Sequence, residues 1–198
     1  PLPTITLGTD PGVCSGETSA LLPYTATTGS PNQYSITYGA AAITAGFVNV
    51  VNAALGSSPV TLVVPGAASV STYDANLSVR NNTTGCTSAS YPFTITINSL
   101  PVVTISGPAI VCEETSATLD AGAGFSSYAW SFGATSLGSN QTQDITTQSL
   151  TAPTNTVTET YTVIVTNAAG CSGTDTHDIT VYRLPDTGPA YYVPNDFN

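Results

Sequence analysis

The sequence predicts an all-β chain of two tandem β-sandwiches. Three observations carry that expectation: an internal repeat that fills the chain, strands whose apolar residues recur with period two, and a composition suited to strands and turns.

The repeat is visible by eye. "PTITLGTDPGVC", Pro3 to Cys14, aligns without gaps with "PVVTISGPAIVC", Pro101 to Cys112. Each is followed by Glu-Thr-Ser-Ala, at Glu17 to Ala20 and at Glu114 to Ala117. Later in each copy comes a Tyr-led strand, a turn and Gly-Cys: "YDANLSVRNNTTGC" ends at Cys86 and "YTVIVTNAAGC" at Cys171. Leu-Pro stands at every seam, as Leu2-Pro3, Leu100-Pro101 and Leu184-Pro185. The expected division is residues 1–99, residues 100–185, and a linker or tail at 186–198.

Taken in order, the first copy enters a strand through "ETSALLPYTA". "AAAITAGF", Ala40 to Phe47, breaks the strand pattern and is read as a helical turn or two between sheets. The Tyr-led strand then turns at "NNTTG", a cluster rich in turn formers. In "YPFTITIN", Tyr91, Phe93, Ile95 and Ile97 face one way while Pro92, Thr94, Thr96 and Asn98 face the other. The second copy repeats the plan with "ETSATLDAGA", the strand around Trp130, "YTVIVT", the turn "NAAG" and "HDITVY", with Ile179 and Val181 inward. Short strands at regular spacing separated by turn clusters read as sandwiches.

Composition narrows function. Charged residues are 7% of the 198 and hydrophobic residues 41%; there is no Lys, and Ser, Thr, Asn and Gly are abundant. That mixture fits β-rich extracellular folds. Two Arg against twelve acids give a formal charge of −10, which repels phosphate backbones and anionic lipid surfaces and so argues against nucleic acid. The most apolar run, Gly39 to Gly56, is interrupted by Thr44, Gly46, Asn49 and Asn52 and falls short of a membrane span. No basic-then-apolar segment opens the sequence, so a secreted product is expected to be processed or excised from a longer polypeptide. Without Lys, intramolecular Lys–Asn crosslinks are ruled out, and disulfides are left as covalent staples.

Cys14, Cys86, Cys112 and Cys171 allow three pairings. Each copy carries one cysteine before its second strand and one after its Tyr-led strand, so the repeat selects Cys14 with Cys86 and Cys112 with Cys171, each bridge pinning one end of its sandwich. Closing such loops is worth roughly 4 to 5 kcal/mol in the chain-entropy model. Zinc is the rival, but its sites usually contain close pairs such as Cys-x-x-Cys, and none occurs here.

"YAWSFGAT", Tyr128 to Thr135, resembles the Trp-Asp-Phe-Gly-Asp-Gly signature of PKD domains, keeping Trp130, Phe132 and Gly133 but with Ser131 and Ala134 in place of Asp. "ETYTVIVTNAAGCSGT" looks like the Tyr-led strand and hairpin of that family. The first copy, through "VCSGETSALLPYTATTGSPNQYSITY" and "LSVRNNTTGCTSASYPFTITIN", is similar to PKD-like repeats of large secreted surface proteins of Bacteroidota, gliding adhesins exported by the type IX system among them. The resemblance covers nearly all of residues 1–185 and implies two immunoglobulin-like (PKD-like) sandwiches. It implies a non-catalytic, extracellular role at the cell surface: a filament or adhesin, or an accessory carbohydrate-binding or spacer module of a secreted enzyme. The implied partners are neighbouring modules or identical subunits in a fibre, and surface polysaccharide.

Candidate chemistry is sparse. His177, the sole histidine, is expected as an ordinary solvent-facing strand residue; no Gly-x-Ser-x-Gly elbow accompanies it. Trp130 is expected in the core, and Tyr161 at a strand start with its hydroxyl returning to the backbone. No cofactor is expected. Calcium is the metal to consider: a Cys112–Cys171 bridge would bring Asp175 towards Glu113 and Glu114, with Asp10 near the other seam, although solvated surface acids are the simpler reading. Asn76, Asn81, Asn82 and Asn140 head Asn-x-Ser/Thr triplets and are assigned no role. "LPDTG", Leu184 to Gly188, matches a sortase pattern, but Leu184-Pro185 holds the seam position of Leu100-Pro101 and is read as a joint. Tyr191, Tyr192 and Phe197 beyond it are costly to leave bare and are expected to contact a neighbouring module or subunit, by adding a strand to an open sheet edge.

Overall fold

The structure, a computed structural model, describes residues 1–185. These form two compact units: Pro1–Pro101 together with Asn167–Cys171, and Val102–Thr166 together with the residues from Ser172 on. Each unit is an immunoglobulin-like β-sandwich.

The first unit contains β1 (Thr4–Leu7), β2 (Gly12–Cys14), β3 (Ser19–Leu22), β4 (Tyr24–Thr28), β5 (Gln33–Tyr38), α1 (Ala40–Thr44), β6 (Val50–Ala54), β7 (Val60–Val63), β8 (Ser71–Arg80) and β9 (Tyr91–Asn98). One layer is a five-stranded sheet in the order β2-β9-β8-β5-β6, and the other is made by the pairs β1-β4 and β3-β7. Only Pro23 separates β3 from β4; it has no N–H to give a ladder, and the two halves of the strand take different partners there. Alternation fills the core: Tyr73, Ala75, Leu77 and Val79 of β8 and Phe93, Ile95 and Ile97 of β9 are buried, and the residues between them are not. The short helix at 40–44 buries Ala42, and Phe47 just beyond it lies 5.0 Å from the Tyr38 ring and 5.1 Å from the Tyr73 ring. The Tyr73 hydroxyl donates to the Ser69 carbonyl at 2.8 Å, tying the start of β8 to the turn before it.

The second unit contains β10 (Ile110–Cys112), β11 (Ser116–Asp120), β12 (Ser127–Phe132), β13 (Thr135–Gly138), β14 (Thr142–Thr146), β15 (Thr156–Thr166) and β16 (Ser172–Tyr182). Its five-stranded sheet runs β10-β16-β15-β12-β13, and β11-β14 faces it. Where β1 stands in the first unit, the segment Val103–Ile105 buries two side chains and keeps only a bridge, Ser106 with Asp120. Leu119, Trp130, Val163, Val165, Ile179 and Val181 form the core. Trp130 is 1% exposed and donates its indole N–H to the Asn140 carbonyl at 2.8 Å, so both its apolar body and its polar tip are satisfied inside.

Trp130→Ala is therefore expected to destabilise the second unit by about 3–5 kcal/mol, the range for truncating a buried aromatic. Urea unfolding followed by circular dichroism checks this. A change within about 0.5 kcal/mol, the scale of surface substitutions, would contradict the core placement.

Candidate functional site

The long hairpins position the cysteines. β2 runs parallel to β9 with Cys14 opposite Asn98, the last residue of that strand, and β10 runs parallel to β16 with Cys112 opposite Tyr182, again the last residue. The Gly-Cys cysteines stand at the other end of the same strands, in the turns that lead into them. Cys86 precedes Tyr91, and Tyr91 to Asn98 is seven steps along β9, about 23 Å at strand rise. Cys171 precedes Ser172, and Ser172 to Tyr182 is ten steps along β16, about 33 Å. A disulfide needs its Cα atoms within about 7 Å. The expected pairings Cys14–Cys86 and Cys112–Cys171 are therefore overturned. The bond that forms joins Cys14 to Cys171, with Cα atoms 5.6 Å apart, and falls within the first unit, to which the turn Asn167–Cys171 belongs; Cys86 and Cys112 are free thiols.

The turn that carries Cys171 is built by one side chain. The Asn167 carboxamide oxygen accepts the N–H groups of Ala169 and Cys171 at 3.0 Å each, and its amide donates to the Ser99 carbonyl at 2.9 Å. Gly170 takes φ +83°, a conformation other residues resist.

Of the carboxylates singled out as calcium candidates, Asp175 lies far from the Glu113–Glu114 pair, and Glu113, Asp175 and Asp10 accept N–H groups. The Glu113 carboxylate accepts the N–H of Leu184 at 2.8 Å on one oxygen and that of Leu150 on the other. Glu114 is exposed, with φ +56°. Asp175 lies seven positions from Tyr182 on β16, about 23 Å along the strand from Glu113's neighbour. It accepts the Ile105 N–H at 2.8 Å, while in the first unit Asp10 accepts both the N–H and the hydroxyl of Thr94. In each unit one aspartate thus ties the leading segment to the last strand, Asp10 from the leading segment and Asp175 from the last strand. Among the described residues, no group of three or more His, Cys, Asp or Glu side chains is placed to hold a metal ion.

His177 is half-buried rather than solvent-facing: its ring nitrogen lies 3.1 Å from the Pro108 carbonyl, and its partner across the ladder is Tyr161. Tyr161 lies in mid-strand, and its hydroxyl donates to the Glu159 carboxylate at 2.6 Å instead of returning to the backbone; Tyr73 makes the backbone return in its place. Tyr191, Tyr192 and Phe197 lie outside the described residues.

Glu159 is the residue that reading the sequence missed. It is 1% exposed, and its second oxygen accepts the Gln148 N–H at 2.9 Å. A signal existed: Glu159 lies in phase with Val157, Tyr161, Val163 and Val165, so alternation alone places its carboxylate on the inner face. It lines a cleft of about 310 Å³ with Phe132, Leu137, Ile145, Gln148 and Tyr161, where the Phe132 ring stacks on Tyr161 at 5.1 Å.

The first unit has an apolar cleft of about 260 Å³ lined by Tyr34, Tyr38, Phe47, Val50, Leu62 and Pro65. β6 and β7, which supply Val50 and Leu62, are each the last strand of their sheet. Val48 at 77%, Val51 at 75% and Val63 at 79% exposure stand bare on the same elements or beside them. Burial pushes the Tyr38 phenol up to about 12, with Tyr34 adding to it; burial and then Glu159 raise Tyr161 as well.

No family model matches the sequence, and no curated protein matches it. Among solved structures, the chain is similar to the fibronectin(III)-like modules of Clostridium thermocellum CbhA, at 11% identity and a TM-score of 0.47, over 92% of this chain and 94% of that one. It is similar to Drosophila N-cadherin EC1-4 at 11% identity and a TM-score of 0.37, over 93% of this chain and 50% of that one. It is also similar to a Bacteroides ovatus protein of a mixed-linkage glucan utilization locus, SGBP-B, solved with a mixed-linkage heptasaccharide, at 14% identity and a TM-score of 0.33, over 91% of this chain and 47% of that one. The chain spans about half the length of the last two.

A phenol whose folded value lies above its ordinary 10.0 supplies stability that is complete below that pH and is lost as the pH rises through the folded value. Stability is expected to fall between pH 10 and about 12, with Tyr38→Phe reducing the slope in that window. Urea midpoints measured at steps of pH check this; an identical slope in the variant would contradict it.

Proposed function

We propose that the chain is a structural and adhesive segment of an extracellular surface filament or adhesin, without catalytic activity. The observation that carries this reading is the covalent and polar economy of the repeat: two sandwiches in series, a disulfide suited to an oxidising compartment, and carboxylates and an imidazole occupied by backbone groups. The PKD-like resemblance supports the finer reading of a surface protein of Bacteroidota exported by the type IX system. The partner is a neighbouring module or an identical subunit, and the apolar cleft between the edge strands β6 and β7 is the surface that suits it. Tyr191, Tyr192 and Phe197, with the segment around them, supply the complementary aromatic surface.

A second reading, an accessory carbohydrate-binding or spacer module of a secreted enzyme, is favoured by one feature: Phe132, 37% exposed, stacked on Tyr161 at the cleft that Glu159 lines. Trp130 is buried and cannot be the sugar platform.

One set of variants separates the two. Deleting residues 189–198, or introducing Val48→Asp with Val63→Asp, is expected to weaken self-association in sedimentation velocity while leaving retention on a polysaccharide panel unchanged. Unaltered association in both variants, with polysaccharide binding abolished by Phe132→Ala, would replace the filament reading with the carbohydrate one.

A further inference from the structure

The observed disulfide runs between the two copies of the repeat in sequence: the post-proline cysteine of the first copy, Cys14, is bonded to the Gly-Cys cysteine of the copy that follows it, Cys171. This leaves one cysteine of each kind, in complementary order. Cys112 is the post-proline cysteine of the second copy, and Cys86 is the Gly-Cys cysteine of the first. From these placements we infer that Cys112 of one chain bonds to Cys86 of a second copy, continuing head to tail the pairing that Cys14 and Cys171 already make.

Local geometry supports the equivalence at both ends. Cys112 closes a three-residue strand parallel to the end of β16, in the register that Cys14 holds against β9, and its side chain is exposed. Cys86 follows a left-handed glycine, Gly85 at φ +71°, as Cys171 follows Gly170 at φ +83°. The two turns are closed alike: Asn81 N–H donates to the Cys86 carbonyl at 2.9 Å, as Asn167 N–H does to the Cys171 carbonyl at 3.0 Å. The Asn81 carboxamide oxygen accepts the N–H groups of Thr83 and Thr84, as Asn167 accepts those of Ala169 and Cys171. Within one copy the two kinds of cysteine stand at opposite ends of the last strand, so neither can bond within its own copy. A contact between two different surface patches is heterologous, and it gives open chains, or rings where the rotation closes.

The bond forms by thiol–disulfide exchange with a small-molecule disulfide as oxidant. A Cys86 thiolate attacks oxidised glutathione and expels one glutathione thiolate, leaving a mixed disulfide on Cys86. The Cys112 thiolate of the second copy then attacks the Cys86 sulfur and expels the second glutathione thiolate. Two electrons pass to glutathione, and the two protons lost by the cysteines are taken up by the two glutathione thiolates.

The inference stands on the repeat and the observed bond, not on the adhesive reading, so the two fail separately. The test is incubation of the full chain, as an equal mixture of ¹⁵N-labelled and unlabelled protein, with oxidised glutathione at physiological ionic strength, followed by non-reducing electrophoresis and peptide mapping. The expected result is a ladder of dimers, trimers and longer species, with a Cys86–Cys112 peptide of mixed label and Cys14–Cys171 intact. Cys86→Ser and Cys112→Ser alone should give no ladder, and mixed together they should stop at the dimer. Symmetric Cys112–Cys112 or Cys86–Cys86 bonds in comparable amount, a Cys86–Cys112 bond of unmixed label, or glutathione adducts without a ladder would each overturn the inference. The wild-type label pattern decides the matter even where a variant folds poorly.

Discussion

In both copies of the repeat, the last hairpin is the element against which the remaining strands of its sheet are placed. β8–β9 and β15–β16 pair over most of their length, and their alternation sends one set of side chains into the core. One flank of the hairpin takes the parallel leading strand, β2 or β10, and the other takes β5 or β12. The parallel flank has the larger consequence. It carries the post-proline cysteine to the far end of the last strand from the Gly-Cys turn, and so forbids a bridge within one copy.

Much of this was legible in the residues. Phe93, Ile95 and Ile97, and Ile179 and Val181, announced their inner face by period two, and all five are buried. The short helix at Ala40–Thr44 lies within the segment that broke the strand pattern. Cysteine pairing was not legible, because spacing along a chain carries no strand direction: an antiparallel leading strand would place Cys14 elsewhere along β9. His177 was misjudged for a related reason. Alternation puts it in phase with Asp175 and Ile179, but which neighbour covers it depends on the path of Pro108, and nothing local in the sequence announces that. Glu159 shows the opposite case, a buried carboxylate whose phase was readable once the strand was drawn to its full length.

The polar groups named above serve the framework. Asp10 and Asp175 tie leading segments to last strands, Glu113 holds the N–H groups of Leu150 and Leu184, and Glu159 holds the Gln148 N–H and the Tyr161 hydroxyl. Buried polar groups are hydrogen-bonded as a rule, and Glu113 and Glu159, the buried carboxylates among the described residues, follow it. Among the described residues, exposed valines stand on or beside the edge strands β6 and β7, and Cys86 and Cys112 carry free thiols.

The central claim is that the disulfide is shared between consecutive copies of the repeat rather than enclosed within each. The most direct measurement is peptide mapping of the protein digested without reduction, after alkylation of free thiols. The account predicts a Cys14–Cys171 crosslinked peptide. Recovery of Cys14–Cys86 together with Cys112–Cys171 would contradict it, and with it the parallel placement of β2 and β10 on which the architecture rests.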